Sequence, residues 1–230
     1  MKILALDTAT ENCSAALLVS PDRYAREELL HKGGAERILP MVQELLATAG
    51  IALTDLDAIA FGRGPGGFTG VRLAASITQG LAFGAGVPIV GISDLHALAQ
   101  RVLDLEATAA GALVCTDARM GEVYWGCYAR GAGNRAEPVA EDRVGAPARV
   151  QLPGTWAADG LTVGAGTGFA AYPQLASLIG TQPVHPALRP RAAEILALAV
   201  PEVLAGRVGA AEAAVPVYLR DNVAQVGPSH

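Results

Sequence analysis

The stretch Gly62-Arg63-Gly64-Pro65-Gly66-Gly67-Phe68-Thr69-Gly70, GRGPGGFTG, joins the apolar run DAIAFG to the pattern VRLAASITQGLAF. A short apolar run ending in glycine reads as a buried strand, and the spacing of Leu73, Ile77 and Leu81 after it predicts a helix over 70–84. Thr69 is the expected N-cap. A glycine loop in this position often holds a phosphate, because a helix N-terminus presents unpaired N–H groups. Three readings compete. Gly62, Gly64 and Gly67 satisfy G-x-G-x-x-G, with Asp94 after the next strand as the ribose acid, but Pro65 removes an amide and a plain βαβ unit leaves the N-terminal hairpin unexplained. A Walker loop needs a lysine after its last glycine, and none follows. In the third reading the loop is a tight turn that starts a helix. Ser76, Gly80 and Gly84, recurring every four residues, favour it by making a shallow ridge that a second helix can approach.

Outward from the loop, strands are expected over 2–7, 13–20 and 24–31, the first two as a hairpin across TATEN. A helix over 35–49 has Ile38, Val42, Leu45 and Ala49 on one face with Leu39 and Leu46 beside them, a bend at Pro40 and a stop at Gly50. VPIVGIS is the next buried strand, and Ser93 caps a helix with Leu95, Leu98, Val102 and Leu105 on one side. At 112–130 the N-terminal rhythm returns: an apolar strand ends in Asp117, a glycine-containing tip follows, and a second strand comes back. Asp7 and Asp117 occupy the same place in two hairpins. The repeat predicts a duplicated α/β unit, with halves 1–105 and 106–230. The second half continues with short strands among loops to 160, a strand and glycine turn over 161–172, a helix over 190–207 interrupted at Pro201, and a frayed polar end of ten residues.

At 230 residues with 51% hydrophobic and 17% charged residues, the chain buries a substantial core and is not a disordered polymer. The net charge is −5, without a basic run, a poor footprint for gripping nucleic acid alone; any RNA would be held largely by a partner. Cys13, Cys115 and Cys127 lie inside apolar runs and read as buried free thiols in a reducing compartment. Asp7 comes too early for a signal-peptide core, and Gln79, several glycines and Pro88 interrupt the longest apolar window; a cytoplasmic protein without a membrane span is expected.

Catalytic chemistry is thin. His96 has no ligand at i±4, and His31, His185 and His230 form no cluster; neither a nucleophile elbow nor an H-E-x-x-H helix occurs. No metal site and no catalytic residue are therefore expected. Asp7, Thr8 and Asp117 have two open readings: a phosphate or nucleotide site, or ties that hold the hairpin tip through backbone hydrogen bonds.

Four separated stretches, LALDTATENCSAALL, GRGPGGFTGVRLAASITQGLAF, CTDARMGEVYWGCY and VPVYLRDNVA, together resemble the TsaB (YeaZ) family. The resemblance implies two ribonuclease-H-like lobes of the acetate kinase, sugar kinase, heat-shock ATPase and actin superfamily. It also implies a non-catalytic dimerisation subunit that supports TsaD, with the ATPase TsaE, in making N6-threonylcarbamoyladenosine at position 37 of tRNA. The tRNA would be met only through the complex, and no cofactor is required, ATP or ADP being the nucleotide to expect at the complex interface. TsaD carries an H-x-x-x-H metal pair where Asp94 and Leu98 stand here, and Leu98 cannot ligate. Two helices are implied to pack against TsaD, or against a second copy when TsaD is absent. Leu39, Val42, Leu45 and Leu46 are the expected anchors on the first, and Leu73, Ser76, Ile77, Gly80, Leu81 and Gly84 the receiving ridge on the second. Arg72 is expected to reach either an acidic group of the partner or a local ion-pair partner. The competing reading is an independently active nucleotide-dependent transferase or kinase of the same fold.

Overall fold

The computed structural model describes residues 1–30, 33–154, 156 and 161–220. His31, His230 and the ten C-terminal residues expected to fray lie outside the described residues. The chain opens with an antiparallel meander of β1 (Lys2–Asp7), β2 (Asn12–Val19) and β3 (Asp22–Leu29). Then β4 (Ala58–Gly62) pairs parallel to β1, and β5 (Ile89–Ile92) parallel to β4, giving the order β3-β2-β1-β4-β5. Central β1 is apolar on both faces because both are covered, whereas β3 is an edge whose Arg and Glu side chains face solvent.

The second sheet repeats this plan. The hairpin β6 (Gly111–Arg119) and β7 (Glu122–Arg130) corresponds to β1 and β2, and β8 (Ala136–Pro138) and β9 (Arg143–Gly145) pair with β7 where β3 pairs with β2. On the other side of β6, β10 (Thr162–Ala165) and then β11 (Val184–His185) add in parallel, completing β11-β10-β6-β7-β8. Each lobe is ribonuclease-H-like, and the duplication read from the two hairpins extends to the whole strand order.

The helices complicate the division into halves. α1 (Gly34–Ala49) and α2 (Phe68–Ala85) cover one face of the first sheet, burying Ile38, Met41, Leu45, Ala74 and Ala82 against Leu4, Leu6, Leu17 and Phe61. α3 (Asp94–Leu105) leaves the first sheet and packs Leu95, Leu98, Val102 and Leu103 on Ala112, Val114 and Val163 of the second. After the short α4 (Gly168–Ala171), α5 (Ala192–Leu204) returns to the first sheet and packs Ile195, Leu196 and Ala199 on Ile3, Ala5 and Leu18. The sheets thus separate at about residue 105, while α3 and α5 cross over and pack on each other.

Three boundaries differ from the sequence reading. α2 begins at Phe68 with Gly67 as N-cap, so Thr69 lies inside the helix: the Gly67 N–H donates to the Ala9 carbonyl at 2.7 Å, which seats the loop on the first hairpin tip and sets the helix start. α5 begins at Ala192 because the preceding residues are held extended: Asn12 Nδ2 donates to the Pro190 carbonyl at 3.1 Å and the Ala192 N–H to Ser14 Oγ at 2.9 Å. Pro201 is accommodated in its last turns instead of interrupting it. The cap at Ser93 is present, its Oγ accepting from the His96 N–H at 3.3 Å, but Leu105 at the far end of α3 is exposed.

The seating of the glycine loop leaves no room for side chains. A Cβ on Gly70 would overlap the Thr8 carbonyl oxygen, and one on Gly66 would stand 2.6 Å from the Ala9 carbonyl oxygen. Gly70→Ala is expected to lower stability by roughly 1–3 kcal/mol, an overpacking effect on rigid backbone, read from urea denaturation midpoints; an unchanged midpoint would show that the tip yields freely.

Candidate functional site: the cleft and the outer face of α2

A cleft of about 1070 Å³ opens between the lobes, walled by both hairpin tips, the glycine loop and the segment 217–220. Beneath it two carboxylates meet. Asp7 ends β1 and Asp94 follows β5, so they flank Gly62 at the end of the intervening β4. Both are buried. Gly62 permits the meeting, since a Cβ there would overlap Asp94 Oδ1 and lie 2.9 Å from Asp7 Oδ1. Asp7 Oδ1 accepts the Ala9 N–H at 2.7 Å, and Asp94 Oδ2 the Gly64 N–H at 2.5 Å. Asp7 Oδ2 and Asp94 Oδ1 are buried without a hydrogen-bond partner. Burial pushes Asp7 up to about 6; burial and then the neighbouring Asp7 charge push Asp94 well above the usual carboxylate range. Both shifts favour the protonated form of a carboxyl over two opposed buried charges.

The other residues proposed for a nucleotide site also make local ties. Thr8 Oγ1 donates to the Gly70 carbonyl at 2.7 Å. Asp117 accepts the Arg119 N–H at 2.8 Å and pairs with its guanidinium at 3.0 Å. Asp7 to Ala9 and Asp117 to Arg119 are the same turn bond in the two hairpins. Thr8 and Asp117 line the cleft, as does Asp94.

His96 is a packing residue. Its Nε2–H donates to the Ala136 carbonyl at 2.7 Å, its ring stacks on Tyr128 at 5.1 Å, and burial lowers its pKa. His185 instead meets Glu106 at 2.7 Å. The three thiols are free and buried, which pushes Cys13 and Cys127 up to about 11 and Cys115 higher still. Among the described residues no group of three or more His, Cys, Asp or Glu side chains is placed to hold a metal ion, and no helix is long and apolar enough to cross a membrane.

The helices named from the sequence as partner-facing divide differently. Val42 and Leu45 of α1 are buried in the first core beside Ile38 and Met41, so they cannot anchor another molecule. Leu46 is half-buried against the same core, while Leu39 is 42% exposed. On α2, Ser76, Gly80 and Gly84 face outward, with Leu73, Ile77 and Leu81 half-buried beside them. Phe83, which the ridge pattern passed over, is 74% exposed on the same helix. Arg72 makes a cation–π stack where a local ion pair was one expectation: its guanidinium lies 3.3 Å from the Phe68 ring centroid and 4.9 Å from that of Tyr218.

Two ribonuclease-H-like lobes facing a common cleft, with exchanged covering helices, define a duplicated two-lobed α/β protein. A family model described as TsaD, tRNA N6-adenosine threonylcarbamoyltransferase, matches residues 28–227. A protein of Escherichia coli K12, described as tRNA threonylcarbamoyladenosine biosynthesis protein TsaB, is 43% identical, covering 97% of this chain and 96% of its own. Its namesake in Haemophilus influenzae is 39% identical over 97% and 95%. The solved structure of YeaZ from Pseudomonas aeruginosa superimposes with a TM-score of 0.86 at 42% identity, covering 95% of this chain and 99% of that one. The chain belongs to the TsaB (YeaZ) family.

The acid pair gives stability a definite pH dependence. Folding raises both carboxyls above their values in the unfolded chain, about 3.9, so their contribution is complete below about pH 4; that of Asp7 is lost as pH rises through about 6, and that of Asp94 as pH rises through its own raised value. Asp94→Asn replaces an ionisable carboxyl with a permanent N–H donor. It should flatten the decline in urea-denaturation stability between pH 5 and 8 and raise stability at the upper end of that range. An unaltered pH profile would show that the two carboxyls do not set this dependence.

Proposed function

We propose that this chain is a non-catalytic subunit that binds and supports TsaD in the N6-threonylcarbamoylation of adenosine 37 of tRNA, in concert with TsaE, and that it contributes the outer face of α2 to that contact. The names of its relatives place them in threonylcarbamoyladenosine biosynthesis. The observation that carries the subunit reading is the pair Gly80 and Gly84. A glycine in a helix interior costs about 0.5–1 kcal/mol relative to alanine. At Gly70 in the same helix that cost has an internal reason, since a Cβ there would collide with Thr8. At Gly80 and Gly84 a Cβ would meet nothing within 4 Å. What offsets their cost lies outside the folded chain: another backbone approaching closely on a face that also offers Leu73, Ile77 and Phe83. Burying such side chains contributes about 1.5–3 kcal/mol each before association entropy is met.

In the absence of TsaD the same face serves a second copy of the chain, and tRNA is engaged through the assembled complex. ATP or ADP belongs at the junction between subunits, and the chain needs no cofactor of its own. The commitment of Asp7 and Asp94 to each other under the cleft supports this over an independently active transferase or kinase, since neither carboxylate is free to hold a metal-bound phosphate.

Gly80→Ala should separate folding from association. The isolated chain is expected to gain about 0.5–1 kcal/mol of stability, while its affinity for TsaD in titration calorimetry falls severalfold; Gly80→Leu should abolish binding. With ATP and magnesium, sustained turnover is expected only when TsaD and TsaE are added. Unchanged affinity in both variants would remove α2 from the interface, and sustained phosphate release by the chain alone, lost in Asp7→Asn, would make it an enzyme.

A further inference from the structure

The stretch VPVYLR at 215–220 carries part of the family resemblance, yet neither the acid pair nor the glycine face of α2 uses it. Its path gives it a job. The Val217 N–H donates to the Arg63 carbonyl of the glycine loop at 2.7 Å, and the Tyr218 ring takes one side of Arg72. So far the segment lies on the first lobe. Arg220 then reaches the second, at the tip of the β6–β7 hairpin. Its Nη2 donates to the Ala118 carbonyl at 3.2 Å and to the Glu122 carboxylate at 2.5 Å, and Nη1 lies 3.6 Å from Met120 Sδ. That tip is shaped by two consecutive left-handed residues, Arg119 and Met120, with φ of 63° and 55°. The Arg220 side chain is only 17% exposed, so the ion pair is partly shielded from water and salt. Residues 217–220 also form one wall of the cleft.

We propose that residues 216–220 are a strap that holds the interlobe cleft closed, anchored on the glycine loop by Val217 and fastened to the second lobe by Arg220. Among the described residues the lobes are also joined through the crossed helices α3 and α5, whose mutual packing supplies the hinge, and through Arg189, which pairs with Glu11 of the first hairpin at 3.0 Å beside the hinge segment. A planar guanidinium suits the fastening, because Nη2 bonds the carboxylate and the carbonyl at once while Nη1 lies against Met120; a lysine ammonium offers donors from one nitrogen only and lacks the fixed fork. Release of Arg220 frees the β6–β7 tip from the glycine loop and lets the cleft widen without disturbing either sheet.

Pulsed electron resonance between spin labels at Arg23 and Gln174, exposed positions on the two lobes away from α2, measures the opening in the full chain diluted with an excess of unlabelled chain. The parent should give one narrow distance distribution. Arg220→Ala and Glu122→Ala should each shift it and broaden it to a similar extent, the double variant should go no further than either single one, and Arg220→Lys should fall between. Thermal melts in the same buffer establish that each variant is folded. A folded Arg220→Ala or Glu122→Ala chain with the parent's distribution would overturn the strap, as would a double variant in which the two effects add.

Discussion

The rest of the structure depends on backbone meeting backbone at the C-terminal ends of β1 and β4. The first hairpin tip, at Thr8 and Ala9, sits directly against the glycine loop, and Gly66 and Gly70 are the positions where any Cβ would drive the two apart. This contact fixes where α2 starts. It thereby fixes which side of α2 turns inward, burying Val71, Ala74, Ala75, Thr78 and Ala82 and leaving Ser76, Gly80, Phe83 and Gly84 outward. A surface that looks like a property of one helix is set by a turn at its start.

The same strand ends create the acid pair. Glycine at 62 lets Asp7 and Asp94 share a site that any side chain on β4 would fill. The pair ties β1, the glycine loop and the start of α3 together, and α3 belongs to the core of the second lobe. Lobe exchange by α3 and α5, the two buried carboxyls at the strand ends and the grip of Arg220 all lie at the same cleft. Its walls are groups already engaged with one another, in keeping with the proposal that partner binding uses a surface outside the cleft.

Much of this was legible in the sequence, for reasons that also mark the limit. The hairpins with Asp7 and Asp117 showed because a buried strand ending in a turn-forming aspartate is a local pattern, and the two lobes share that pattern down to the turn bond. Exposure of the small-residue ridge on α2 followed from helical spacing. Periodicity, however, shows that a helix has an apolar face without naming what covers it, so α3 and α5 could not be assigned across the lobes. On α1 the apolar stripe is wide; Val42 and Leu45 read as surface anchors although the sheet below had room for them, while Met41 went unremarked. Arg72 stacks on Phe68 one helical turn before it, a contact that helical spacing permits, whereas its contact with Tyr218 requires the C-terminal segment to return in space. The Asp7–Asp94 meeting likewise required knowing that β4 lies between β1 and β5 and ends in glycine.

Hydroxyl-radical footprinting of the chain with and without TsaD addresses the outward face of α2 without altering a residue. Phe83, at 74% exposure, and Leu39, at 42%, are oxidisable reporters on the two helices that cover this side of the first sheet. Strong protection of Phe83 on mixing, with Leu39 protected to a lesser degree and the edge strand β3 unchanged, is the expected pattern. Undiminished oxidation of Phe83 in a complex confirmed by mass would contradict the assignment of α2 as the surface this chain offers to its partner.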